Sequence, residues 1–469
     1  MRWLVWTAVL MVCGGMAWAD PVEFVVAPDG DDAAAGTEAA PFATPHRARD
    51  AIRELKQARG GELPGPVTVR LREGIYFLEQ PLDLGLEDSG TEDAPVTWEA
   101  WPGERPIVSG GTPVTGWEAD GEGAWSVALP EARDSDWNFR QLFVRRPGTR
   151  DYTRRYRPAR GLFVIAGLTE APHRHPDRPV NHRNPQREFH FHEGDIEDWE
   201  NLSDVEVVVM HDWSSGRLNI EEIDFEKRIV RFTDFPHYRI GHWYPGGRNP
   251  YLVENVKEDF GQPGEWYLDR PTGLLSYTPT AGEEVVELEA VAPRIERLVT
   301  ITGDREQQGY VEYLTFRGIV FAHSAWKDSP HRYAEAYGRA CRQGFVDMPA
   351  AIELKWARDC RFEGCTMAHM GSYALDFGEG CHDNVAMGNR IFDCGTGGVK
   401  VGVVDRSAQP PVVPTGNRVE SNLVSDSGIV HYSGHGIWGG ITSELAVRHN
   451  EVRRTLYSPV AIGWSHGTE

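Results

Sequence analysis

The sequence predicts an all-β chain wound as a solenoid of stacked coils. Three observations predict it. Short apolar runs alternate with Gly, Asp and Pro turns at a steady rhythm. From residue 312 the chain can be laid on itself in rows: YLTFRGIVFAHSA, CRFEGCTMAHMG, DNVAMGNRIFDCG, NRVESNLVSDSG and AVRHNEVRRTL. One column of those rows reads Ile319, Cys365, Asn389, Asn422 and Asn450. Stacked amides at an internal corner satisfy one another and the turn backbone, so this column predicts an asparagine ladder.

Charge and length bound the rest. The chain has 469 residues, 70 acidic against 48 basic, and a formal net charge of −22. That balance excludes a nucleic-acid backbone and an anionic membrane surface as expected partners. Hydrophobic residues at 40% exclude a disordered chain. The first segment, 1–19, reads as a signal peptide. Arg2 precedes the apolar run WLVWTAVLMV, and Ala17-Trp18-Ala19 is a small-x-small cleavage site. The expected product is secreted or periplasmic. Mature cysteines are Cys341, Cys360, Cys365, Cys381 and Cys394, which an oxidising compartment would allow to form two disulfides and one free thiol.

Residues 20–112 read as an N-terminal cap and the first coils. Phe24-Val25-Val26 is a short strand. Thr44-Pro45 is an N-cap followed by Pro at the first helical position, and Ala48, Ile52 and Leu55 share one helical face. Val67, Val69 and Leu71 alternate, and further short strands follow at Tyr76, Leu82, Val96 and Ile107. The runs PDGDD, GTEAAPFAT, VRLREGIYFL, EDSGTEDAPVTWEAWPGERPIVSGG and VTGW, with QLFV at 141–144 and GEWYLDRPTGLLSYTP at 264–279, resemble secreted right-handed parallel β-helix carbohydrate-active proteins. Those grouped around glycoside hydrolase family 141 are the most similar. The resemblance implies a right-handed parallel β-helix with an N-terminal capping helix. It also implies a polysaccharide or oligosaccharide partner and a monomer. Members of that family continue into further coils, so it implies that 296–469 is an incomplete set of coils at the C-terminus.

Residues 113–295 break the rhythm with longer strands such as VEVVVMHDW and RLNIEEIDFEKRIVRF, and predict an inserted antiparallel β domain. Its runs RRPGTRDYTRRYRPAR and HRHPDRPVNHRNPQREFHFH would either attract an anionic sugar or form local salt bridges on a solvated loop. His173 with His175, or His190 with His192, lack a carboxylate group to complete a metal site.

The repeat rows place the candidate chemistry. With the rows aligned at Ala325, Gly371, Gly395, Gly428 and Leu456, one polar column holds His323, His369, Asp393, Asp426 and Arg454. Adjacent coils lie about 4.8 Å apart, so Asp393 and Asp426 are expected neighbours able to share one proton. That pairing suits the acid/base and nucleophile of a glycosidase. An Asp two residues before Gly also closes a turn through an Asx bond. His369 and Arg454 flank the pair. On the next strands, alternation sends Glu353, Asp376, Lys400 and Trp438 outward, where they would form a sugar groove. His431 and His435 in the following loop would overhang it as a lid or subsite. The expected function is a glycoside hydrolase without a cofactor. The alternatives are a polysaccharide lyase, which would call for a cation such as Ca²⁺ or another carboxylate-neutralising group plus a base such as Lys400, His369 or Arg454, and a non-catalytic carbohydrate-binding protein.

Overall fold

The computed structural model describes residues 21–121, 123–146, 148–169, 187–233, 240–241, 244–326 and 343–463. The signal-peptide reading, His173, His175 and Cys341 fall outside them.

Among the described residues, three parallel sheets carry the fold, with eight, seven and seven strands. Each coil contributes one strand to each sheet. The coil Arg361–Glu363, Thr366–Met370, Tyr373–Phe377 is followed by Val385–Met387, Arg390–Cys394, Val399–Val401 and then by Arg418–Glu420, Leu423–Ser427, Ile437–Gly439. Pairing in the second sheet joins Thr366 to Arg390, Arg390 to Leu423 and Leu423 to Glu451. This is the register the repeat rows predict, and the molecule is a parallel β-helix. Inward residues of all three sheets form one continuous core, from Val69 and Trp98 through Phe316 and Phe362 to Val424 and Ile437. Stacking of identical positions is visible in the rings of Phe316 and Phe362, which lie 5.0 Å apart and 6° from parallel.

The ladder forms at the corner between the first and second sheets. Asn389 Nδ2 donates to Asn422 Oδ1 at 2.9 Å, and Asn422 Nδ2 to Asn450 Oδ1 at 3.0 Å. Each side-chain oxygen also accepts a backbone N–H of the coil above, starting with Cys365 N at 2.9 Å. A second ladder, Asn384 on Asn417, runs beside it and caps Cys360 N in the same way. Cys360 and Cys365 thus occupy the ladder positions one coil above the asparagines. Cys360, Cys365, Cys381 and Cys394 are all buried free thiols, so the expected disulfides do not form among them. They stack as small core residues, and the thiols of Cys360, Cys365 and Cys381 donate to carbonyls of neighbouring coils.

The first coil is closed by the helix Pro45–Gln57. Thr44 Oγ1 accepts from Arg47 N at 3.1 Å, and Ala48, Ala51 and Ile52 are buried against the first strands. The helix covers a core end that water would otherwise reach.

The chain leaves the solenoid after Ile107–Ser109 and rejoins it at Val299–Thr302. Between them lie antiparallel sheets of four, six and four strands. Among the described residues two large apolar cores fill this insert, one around Phe189, Val207 and Tyr251 and one around Leu142, Trp266 and Tyr277, with a smaller cluster of Phe143, Tyr152 and Val291. The strand Leu142–Arg145 pairs with Ala290–Pro293 on one side and Tyr152–Arg155 on the other. This sheet lies against the second sheet of the solenoid, where Phe143 packs on His323 and His369.

The ladder makes a measurable prediction. Asn389→Ala removes two donated bonds and leaves the buried Cys365 N–H without an acceptor. It should lower stability by about 2–4 kcal/mol, whereas Asn450→Ala, in the partly buried last rung, should cost less. Chemical denaturation of the two variants reads the difference, and equal costs would overturn the role assigned to the ladder.

Candidate functional site

The second sheet has a recurrent irregularity. Its register pairs Ala368 with Phe392 and Met370 with Cys394, skipping His369 and Asp393. The same skip occurs between Asp393 and Asp426 and between Asp426 and Arg454. The residue at this place is left-handed in five successive coils: φ is 61° at His323, 59° at His369, 55° at Asp393, 54° at Asp426 and 50° at Arg454. Plain alternation would turn the residue after Phe392 inward. Instead Ile391 and Cys394 both belong to the core, and the extra residue between them stays on the outside, as in a β-bulge. Each non-glycine left-handed residue costs about 1 kcal/mol, and the stacked coils repeat that cost to keep five polar side chains in one outward column.

The column is bonded in steps. Ser109 Oγ meets His323 Nδ1 at 3.0 Å, and the rings of His323 and His369 stack 5.4 Å apart, 6° from parallel. His369 Nδ1 lies 2.7 Å from Asp393 Oδ2. At the far end Arg454 donates Nε and Nη2 to the two oxygens of Asp426, at 2.6 and 2.7 Å. The insert supplies a second partner to Asp393, as Arg154 Nε donates to its Oδ1 at 3.0 Å. Burial pushes the Asp393 carboxyl up, but the hydrogen bond and charge of His369 and the Arg154 guanidinium outweigh it, so the net shift is downward. The Arg454 hydrogen bonds hold Asp426 below the ordinary carboxylate range as well. Both carboxylates are therefore anions, each with its own cation. Both shifts are downward, which disfavours the expected sharing of one proton between Asp393 and Asp426. Neither closes its turn by an Asx bond, because their oxygens are taken by His369, Arg154 and Arg454.

A cleft of about 510 Å³ opens beside this column. His369, Asp393, Asp426 and Arg454 form one wall, and Tyr152, Arg154 and Tyr156 of the insert form the other. Tyr156 is 56% exposed, with the Arg154 guanidinium 5.1 Å from its ring centre. Exposed aromatic faces beside paired carboxylates suit the alternating apolar and hydroxyl faces of a sugar.

Four of the expected site residues meet in this cleft, and five do not. Asp376, Lys400 and Trp438 lie on the third sheet in the predicted register. Their column is outward from the core, yet all three are buried. Lys400 Nζ bonds Asp376 Oδ2 at 2.9 Å and the carbonyls of Met348 and Val346 at 2.8 and 3.1 Å. A segment bearing those carbonyls roofs the expected groove. His431 is packed between Trp326 and Phe345, with ring centres 4.3 and 4.7 Å away. His435 packs at a tilt against Tyr457, with ring centres 5.1 Å apart. Both are buried packing residues rather than parts of a lid.

The first basic run lies on the strands Tyr152–Arg155 and Ala159–Val164 rather than on a loop and forms the expected ion pairs, while most of the second run falls outside the described residues. Arg154 reaches Asp393, Arg155 bonds Glu283, Arg157 bonds Glu206 at 2.9 Å and Arg160 bonds Asp259. Tyr152, Arg154 and Tyr156 were the residues that reading by composition missed. Their alternation in DYTRRYR was the available signal. Among the described residues no group of three His, Cys, Asp or Glu side chains is placed to hold a metal ion, and no helix is long and apolar enough to cross a membrane.

The site and the fold define a parallel β-helix in which an antiparallel insert walls a carboxylate-bearing cleft on one sheet. The chain is similar to a solved glycoside hydrolase at 22% identity and a TM-score of 0.80, over 94% of this chain and 80% of that one. At lower similarity stand a complex of XylC with xylose (TM-score 0.47, 14% identity, 92% and 59% of the two chains) and a rhamnogalacturonan lyase (0.38, 9%, 94% and 62%). No protein-family model matches the sequence, and no curated protein does. The first likeness establishes a shared fold.

The buried histidines give this region a pH dependence. Burial holds His323 and His431 well below the usual imidazole value, and takes His435 from 6.5 down to about 4. Between those values the unfolded chain binds protons that the native state does not, so stability falls as pH drops from about 6.5 toward about 4. Thermal melting across that window should show the decline, with a shallower slope in His435→Gln. A slope unchanged by the substitution would remove His435 from the account.

Proposed function

We propose that the protein is a glycoside hydrolase acting on a complex plant or algal polysaccharide, with Asp393 and Asp426 as its reacting carboxylates. The observation that carries this reading is their convergence, from adjacent coils, on one cleft walled by exposed tyrosine. The shared fold with a glycoside hydrolase supports it. Asp393 is clamped as an anion by His369 and Arg154, the state required of a nucleophile or base. Asp426 depends on Arg454, whose side chain is 59% exposed. An exposed ion pair is worth little. A sugar chain entering the cleft displaces Arg454 and desolvates Asp426, which raises its pKa and makes it the proton donor to the leaving oxygen. His369, fixed through Nδ1, and Arg454 bind hydroxyls on either side.

A screen of neutral and uronic polysaccharides with wild type and Asp393→Asn tests this. Asp393→Asn should lose activity by about 10³-fold or more. Asp426→Asn should lose about 10²–10⁴-fold on natural linkages but far less on aryl glycosides whose leaving group needs no proton. Equal losses of Asp426→Asn on both substrate types would overturn its role.

One observation favours β-elimination as a second reading: an imidazole oriented by a carboxylate stands beside a guanidinium, the base and neutralising cation a lyase uses. An ultraviolet-absorbing unsaturated product would select it, and saccharide binding with no product would select a binding protein.

A further inference from the structure

We infer that the cleft is blind at its histidine end and takes the non-reducing terminus of a saccharide chain, so that the enzyme removes one sugar at a time from chain ends. The inference rests on the reading of the cleft as a glycoside-hydrolase site and narrows its substrate to chain termini.

The column beside the cleft changes exposure in one direction. His323 is 0% exposed, and the side chains of His369, Asp393 and Asp426 are 9%, 13% and 36% exposed. The insert causes this gradient. Phe143 lies 5.1 Å from the His323 ring and 4.8 Å from that of His369, and Tyr152 stands edge-on to His323 at 4.8 Å. Phe143, Tyr152 and Val291 pack together as one apolar cluster. Behind it the seam between insert and solenoid is shut. A Cβ at Gly111 would stand 2.3 Å from the Val291 side chain and 3.3 Å from that of His323, and one at Gly110 would stand 2.5 Å from Leu298. No saccharide passes where a methyl group does not fit. The wall is also firmly held, because the strand Leu142–Arg145 that carries Phe143 is paired on both sides. On the flank beyond Ile429, Arg217 Nη2 donates to the Val430 carbonyl at 2.9 Å and Tyr432 Oη to Glu254 at 2.8 Å.

The depth of the cleft sets the number of sugars behind the reacting bond. Tyr152 and His369 end it, and His369 is one coil from Asp393, about 4.8 Å away. That leaves room for one pyranose ring on the blind side of the Asp393–Asp426 step, not for two. The volume of about 510 Å³ is that of a small-molecule pocket rather than of a groove running the length of the solenoid. The roles of the two carboxylates then fix which terminus enters. Asp393, on the blind side, faces the anomeric carbon, and Asp426, on the open side, protonates the leaving oxygen. The sugar whose anomeric carbon reacts has no space for another sugar behind it, so it is the non-reducing terminal residue. The remaining chain leaves past Arg454 and Leu456, which is 62% exposed. Hydrolysis adds one water across the bond and releases one monosaccharide and a chain one sugar shorter.

Hexasaccharides of xylan, galactan, arabinan and homogalacturonan, labelled with a fluorophore at the reducing end, test this with the full-length protein. Early digestion should give free monosaccharide and labelled pentasaccharide alone. Labelled fragments of two to four sugars at early times, or a labelled monosaccharide, overturn the inference and leave the hydrolase reading intact. Tyr152→Ala removes the end wall. Shown to be folded by its melting temperature, it should release a disaccharide and labelled tetrasaccharide beside the wild-type products, and an unchanged pattern overturns the placement of the wall. Nitrophenyl glycosides read the same point without a substitution. By initial rates, kcat/KM for nitrophenol release from a monosaccharide glycoside should exceed that from the corresponding disaccharide glycoside by about 10²-fold or more, and equal values overturn the inference. Failure of every probe to react overturns the hydrolase reading, and the inference with it.

Discussion

Parallel stacking places each residue directly over its counterpart, about 4.8 Å away in the next coil. An outward column must therefore tolerate its own neighbours along its whole length. In this protein the column His323, His369, Asp393, Asp426, Arg454 meets that constraint in steps, as a ring stack, a His–Asp bond and an Asp–Arg fork. The only step between like charges is Asp393 to Asp426. There each carboxylate takes its own cation, Asp426 from the next coil through Arg454 and Asp393 from the insert through Arg154. The ionisation of Asp393 thus depends on the insert, and that of Asp426 on the solenoid's own next coil.

The insert is consequently more than an ornament on the solenoid. Phe143 and Tyr152 cover the two histidines and dry the upper part of the column, while Arg154 and Tyr156 leave the lower part open. Behind this wall the arginines are interleaved with buried carboxylates. Removing one member of such a group is costly, because it strands its partner in low dielectric. Glu206 illustrates this: it is 2% exposed, and despite burial the three arginines around it hold its carboxyl well below the usual range. A rigid charged wall of this kind keeps its geometry when a substrate arrives.

The repeat made much of the architecture readable. Asn389, Asn422 and Asn450 marked the corner, and the rows set the register of the second sheet, because a solenoid repeats the same local environment in every turn. Thr44-Pro45 marked the capping helix for an equally local reason. The column of His369, Asp393, Asp426 and Arg454 was legible on the same grounds. The second ladder at Asn384 and Asn417 was in the rows as well, one strand earlier, and was overlooked. Alternation correctly turned Asp376, Lys400 and Trp438 away from the core, but it carries no information about what lies on top of them. The disulfides failed for a related reason. Spacing shows that cysteines are close in sequence, not that they point at separate carbonyls from stacked core positions.

The sequence by itself determined the coil period, the corners, the inward faces and the polar column, since each depends on residues near in the chain or repeated at a fixed interval. Only the tertiary structure decided which outward faces stay open. It buried the third-sheet column under the Val346 and Met348 backbone and gave Asp393 its cation from a residue 239 positions away. Those outcomes depend on how an irregular insert and a long loop fold back on the solenoid. No periodicity encodes that, because each contact is made once, between partners with no repeat to announce them.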